Sequence, residues 1–107
     1  MPFLRRLLAG AAFLVLGTGA SLAQNPDFRL NNGLGQPINE VYVSSSATNA
    51  WGPDLLGANV LAPGGVLSVS VPAGQCVNDI RLVLASGATM ERRGLNTCQL
   101  TDVNVTP

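Results

Sequence analysis

The sequence predicts an all-β domain: a small antiparallel β-sandwich or barrel of six to seven short strands with one disulfide. Three observations carry this. After residue 24, no stretch keeps apolar residues at the i, i+3, i+4, i+7 spacing that an amphipathic helix needs. Apolar and β-branched residues instead alternate with polar ones in short runs. Clusters of Gly, Pro and Asn cut those runs at close intervals, each supplying positive φ or a fixed φ where a turn needs it.

In chain order, Met1–Ala23 reads as a cleaved secretory leader. Arg5 and Arg6 form the positive region, Leu7 to Leu16 the apolar stretch, and Ser21-Leu22-Ala23 a small-residue cleavage motif. The apolar stretch is too short to span a bilayer, which takes about 20 residues. The arginine pair suits either the general secretory or the twin-arginine route, and its neighbours Leu4 and Leu8 favour the first. The domain is then residues 24–107, 84 residues with four arginines against six acids, a net charge of −2.

Phe28 to Asn31 reads as a first short strand, closed by the turn signal Asn32-Gly33-Leu34-Gly35-Gln36-Pro37. Ile38 to Ser44 follows as a strand. Residues 45–59 form a long polar loop that carries the chain's only Trp. Ala62-Pro63-Gly64-Gly65 fits a type II turn, with Pro at its second position and Gly at its third. Val66 to Val71 alternates, placing Leu67, Val69 and Val71 on one face and Ser68 and Ser70 on the other. Pro72-Ala73-Gly74 turns the chain into Val77 to Ala85, where Ile80, Leu82 and Leu84 face inward and Asp79 and Arg81 outward. A two-residue Ser86-Gly87 hairpin leads into Ala88 to Leu95, and a last strand over Leu100 to Val105 has Val103 and Val105 on its apolar face.

Cys76 and Cys98 are the only thiols, and in an exported chain they read as one structural disulfide. Residues paired across the Ser86-Gly87 hairpin should add to about 173 or 174, which brings these two cysteines close to opposite positions. The bridge closes a loop of about 22 residues, worth roughly 3 kcal/mol on the chain-entropy account. Their spacing is not the Cys-x-x-Cys of a redox centre.

Composition excludes much chemistry. With no Lys and no His, Schiff-base lysines, imidazole bases and His-ligated metals are all excluded. Two cysteines cannot build a four-thiolate zinc site. Four scattered arginines make no phosphate-tracking stripe, so no nucleic-acid partner is expected. No cofactor is implied, and no stable membrane insertion follows leader cleavage.

The segments Asn32-Gly33-x-Gly35-x-x-Ile38-x-x-Val41-Tyr42-Val43-Ser44, Trp51-Gly52-x-Asp54-x-Leu56-Gly57, Leu61-x-Pro63-Gly64 and Asp79-Ile80-Arg81 span most of residues 28–98. In this order they resemble a group of small exported bacterial proteins, often labelled Tat-pathway signal or hypothetical proteins. The W-G-x-D-x-L-G stretch is the most specific block. The resemblance implies a bacterial cell-envelope origin and carries no assigned activity.

Trp51 and Asp54 are the candidate binding residues. One reading makes the indole a stacking platform for a glycan or peptide with Asp54 as its polar partner. The other makes Trp51 a plug in the core, with Asp54 capping the turn Leu55-Leu56-Gly57, and Leu55 and Leu56 folded in beside the ring. Asp54, Asp79 and Asp102 are the acids that could gather around calcium, although they are isolated and lack a D-x-D-x-D-G loop. Asp79, which shares a face with Arg81, suits instead a solvated or cross-strand ion pair with Arg92 or Arg93. The functional expectation is a non-catalytic periplasmic or secreted protein, an interaction module for another envelope protein or peptide. The alternatives are a small-ligand module for a glycan or calcium, using the Trp51 loop, and a periplasmic enzyme inhibitor.

Overall fold

A computed structural model describes residues 25–107; the expected leader over Met1–Ala23 and its junction with Gln24 lie outside the described residues. Six strands form: β1 (Phe28–Asn32), β2 (Ile38–Ser45), β3 (Val66–Val69), β4 (Val77–Leu84), β5 (Thr89–Asn96) and β6 (Asp102–Val105). They make two three-stranded sheets, ordered β3-β1-β6 and β2-β4-β5. The two sheets form a sandwich around one core. Phe28, Leu30, Val69 and Val105 come from the first sheet. Ile38, Val41, Ile80, Leu82 and Leu84 come from the second, and Leu34, Leu56, Leu61 and Val71 close it from the connections.

Three of the four strand pairs are antiparallel, while β1 and β6 run parallel, with Leu30 opposite Val103 and Asn32 opposite Val105. Period-2 alternation fixes which face of a strand is apolar but is blind to direction. The parallel pair joins the two ends of the domain, where a long crossover is available, as parallel pairing requires.

The turn before β3 follows its sequence chemistry. The Gly65 N–H donates to the Ala62 carbonyl at 2.8 Å with Gly64 at φ 81°, a type II geometry. The hairpin between β4 and β5 differs from the sequence expectation. Its loop has three residues, Ala85 to Gly87, with the Leu84 N–H donating to the Ala88 carbonyl at 2.8 Å and Gly87 at φ 91°. Paired residues near the turn therefore add to 172, as in Leu82 opposite Met90, not to 173 or 174. On that register Asn96 would face Cys76. A bulge between Asn78 and Ile80, with Gly94 at φ 70°, advances β5 by one residue, so Asn78 meets Leu95 and Val77 meets Asn96. The Thr97 N–H then donates to the Cys76 carbonyl at 2.7 Å. Cys76 and Cys98 are bridged, with their Cα atoms 5.0 Å apart.

Two buried amides hold the connections. Asn32 spans the β1–β2 turn, and Asn78 donates to the Gln75 carbonyl at 2.9 Å and to Thr97 Oγ1 at 3.0 Å, beside the disulfide. No helix among the described residues is long and apolar enough to cross a membrane.

Candidate functional site

The outer face of the β2-β4-β5 sheet gathers most of the chemistry. Because Ile80, Leu82 and Leu84 turn into the core, Asp79, Arg81 and Val83 project the other way. The register sets Ser44, Tyr42 and Glu40 beside them on β2, and Glu91 and Thr89 on β5. The bulge places Arg93 against Asp79.

Glu40, Tyr42, Arg81, Glu91, Arg93, Asp79 and Trp51 form one continuous network. The Tyr42 hydroxyl donates to Glu40. The Arg81 guanidinium lies 5.9 Å from the centre of the Tyr42 ring and 3.8 Å from Glu91. Arg93 donates to Glu91 at 2.9 Å and to Asp79 at 3.1 Å, and its guanidinium sits 5.4 Å from the centre of the Trp51 ring. Both aromatic contacts are within reach of the ring quadrupole. The proton of Tyr42 is held above the usual phenol range, first by its hydrogen bond to Glu40.

Asp79 departs from the expected solvated position. It does face outward, yet only 4% of it is exposed, because the chain after β2 and the bulged β5 close over it. Its Oδ1 accepts from Ser46 Oγ at 2.6 Å and from the Gly94 N–H at 2.9 Å. Those two bonds, followed by the Arg93 charge, hold its carboxyl below the usual range. Arg93 is the pairing partner, as one of the two expected arginines.

The two candidate residues part company. Asp54 is structural: its Oδ1 accepts from the Leu56 N–H at 3.0 Å, capping the turn, and from the Val41 N–H at 2.9 Å, tying the loop to the edge of β2. Leu56 enters the core, but Leu55 stays 42% exposed. Trp51 is half-buried and lies outside the core cluster, so the expected plug is corrected. The core is filled by aliphatic side chains and Phe28, and the indole packs under Arg93 instead. Beside it, Trp51, Arg93, Asp79, Ser44, Thr48 and Asn49 line a cavity of about 130 Å³. The side chains of Ser44 and Asn49 make no hydrogen bond among the described residues, so they are available to a guest.

The acids proposed for calcium do not converge. Asp54 and Asp79 are engaged as above, and Asp102 lies on the other sheet. There Arg29 grips it bidentately at 2.9 and 2.7 Å, and Asn31 donates to it at 3.1 Å. These donors, Arg29 first, lower its pKa to about 2. No group of three or more His, Cys, Asp or Glu is placed to hold a metal ion among the described residues.

Sequence reasoning missed Tyr42 and the Arg81–Glu91 pairing as parts of a site. Alternation in Ile38 to Ser44 already put Tyr42 on the polar face, but its neighbours depend on the register of three strands. No family model, curated protein or solved structure matches the chain.

Proposed function

We propose that this protein is a non-catalytic interaction module of the bacterial envelope, periplasmic or secreted, which binds another envelope protein or peptide through the outer face of β2-β4-β5. One observation carries the reading. The chain's only Trp and only Tyr stand on this face rather than in the core, each under an arginine. Trp, Tyr and Arg are the residues that dominate binding at protein interfaces. Here they are held in place before any partner arrives, which lowers the ordering cost of association. Export is supported by the disulfide between the only two cysteines, a bond that persists in oxidising compartments, and by the leader-like Met1–Ala23.

Site-specific photo-crosslinking in exporting cells tests this. A cross-linker at position 42 or 81 should give one discrete adduct with a different protein, lost on Arg93→Ala, and position 31 on the opposite sheet should give no adduct with a different protein. Equal labelling from both sheets, or none from positions 42 and 81, would refute it.

A second reading rests on the cavity beside Trp51. Ser44 and Asn49, without side-chain partners among the described residues and next to an indole, suit a neutral polyhydroxyl ligand such as a saccharide. Saturable protection of Trp51 fluorescence from quenching by a mono- or oligosaccharide supports that reading, and an unchanged signal across such a series rejects it.

A further inference from the structure

The four sheet edges are treated differently by the sequence. An unprotected edge strand presents a row of unpaired N–H and C=O groups to other chains, and proteins guard such edges with charges, bulges or covering loops. The edge of β2 is covered: Ile38 and Leu61 exchange hydrogen bonds at 2.9 Å, and the Leu55 N–H donates to the Val41 carbonyl at 2.8 Å. The edge strand β5 carries Glu91, Arg92 and Arg93 in succession, then the bulge at Gly94. The edge strand β6 carries Asp102, clamped by Arg29.

Among the described residues, only β3 lacks all three devices. No charged residue occurs between Asp54 and Asp79, a stretch that includes the whole strand and both of its turns. Val66 is 55% exposed at its start, and Ser68 and Ser70 are also exposed. The hydrogen bond from the Asn32 N–H to the Gly65 carbonyl (2.9 Å) fixes which residues of β3 bond to β1. In an antiparallel ladder these alternate, so Leu67 and Val69 face β1 while the backbone groups of Val66 and Ser68 point away from it. Beyond the strand, the Val71 N–H turns back to Asp27 Oδ1 at 2.7 Å, leaving Ser70 on the outward side as well.

We propose that β3 pairs antiparallel with β3 of a second copy of this chain, forming a two-fold dimer with its axis at Ser68. The segment is self-complementary in that register. Ser68 meets Ser68 of the second copy, and Val66 meets Ser70, so all three outward backbone pairs exchange hydrogen bonds. On the core-facing side Leu67, itself half-buried, meets Val69 of the second copy, which keeps apolar against apolar. No like charges oppose each other anywhere along the contact. The result is one continuous six-stranded sheet, β6-β1-β3-β3-β1-β6. A two-fold pairing uses both unguarded edges at once, and the ends of the new sheet are the guarded β6 strands, so assembly stops at two.

Sedimentation of the oxidised, exported chain over a concentration series is the test, combined with hydrogen exchange. The apparent mass should double with concentration, and the Val66 and Ser68 amides should exchange more slowly as it does. Ser68→Lys sets two cations face to face on the axis, on a solvent-facing position, and should hold the chain monomeric with the melting temperature of the dilute, monomeric wild type. Ser70→Lys serves the same purpose should Ser68→Lys disturb the fold. A wild-type chain that stays monomeric overturns the proposal. So does a dimer that both lysine variants still form, or one that leaves the Val66 and Ser68 amides unprotected. The face carrying Tyr42 and Trp51 belongs to the other sheet, so cross-linking there and dimerisation here succeed or fail independently.

Discussion

Replacing Asn32 with Ala should be among the most damaging single changes outside the apolar core. The residue is 2% exposed at the end of β1, and both ends of its amide are bonded. Its Nδ2 donates to the Gln36 carbonyl at 3.0 Å and to the Leu61 carbonyl at 2.9 Å, and its Oδ1 accepts the Leu34 N–H at 2.9 Å. The three bonds hold together the β1–β2 turn and the segment that covers the edge of β2. A hydrogen bond is worth about 1 kcal/mol net, and a buried donor left unmet costs about 1–3 kcal/mol. The Leu34 N–H lies in a buried turn and has no replacement acceptor in Ala, whereas the Leu61 carbonyl keeps its bond from the Ile38 N–H. The loss should therefore come to about 3 kcal/mol, a large part of the roughly 5 kcal/mol total of a small domain. Urea unfolding should show the midpoint falling at constant slope. Asn31→Ala is the internal comparison: its neighbour on the strand bonds only to Asp102 and Asn104 on the outer face. Its cost should stay below about 1 kcal/mol. If both variants lost the same stability, the assignment of Asn32 as a buried strut would be wrong.

Three other outcomes follow from the geometry. Trp51→Ala should cost about 1 kcal/mol, far less than the 3–5 kcal/mol of emptying a core aromatic site, because the indole packs beside Arg93 outside the core; urea unfolding and acrylamide quenching of the wild type report this. Reducing Cys76–Cys98 should lower stability by roughly 2–4 kcal/mol, read as a thiol-dependent shift of the unfolding midpoint. Asp79 and Asp102 both titrate below the ordinary carboxylate range when folded, Asp102 at about 2. The unfolded chain therefore takes up protons first, and the stability these groups supply is complete above the ordinary range, about pH 4, and is lost as pH falls toward 2. Melting curves across that interval should show a decline that Asp102→Asn makes shallower.

Much of this protein was legible before any coordinates. Alternation in Val77 to Leu84 put Ile80, Leu82 and Leu84 in the core, and Pro63-Gly64 set a type II turn, because both depend on residues within one strand or one turn. The pairing of Cys76 with Cys98 was legible too, although the route to it was not. A three-residue hairpin and the bulge at Gly94 offset each other, and nothing local in the sequence fixes the two shifts together.

What only the tertiary structure decided lies between elements distant in the chain. The direction of β6 against β1 is set by which backbone rows meet, and alternation reads the same in either direction. The burial of Asp79 arises where Ser46 and Gly94 fold over an outward-facing position, so a residue of the polar face became a buried anchor. Trp51 went the opposite way. One reading of the sequence placed it in the core, but Phe28 and aliphatic side chains from five strands and their connections already fill that space, and the nearby guanidinium of Arg93 offered the indole a surface instead. The sequence determined strand faces and the type II turn, since these are local properties of short segments, and the covalent bridge, since the chain holds only two thiols. Packing between segments determined neighbours, directions and the location of the aromatic face, since those depend on where the whole chain has room.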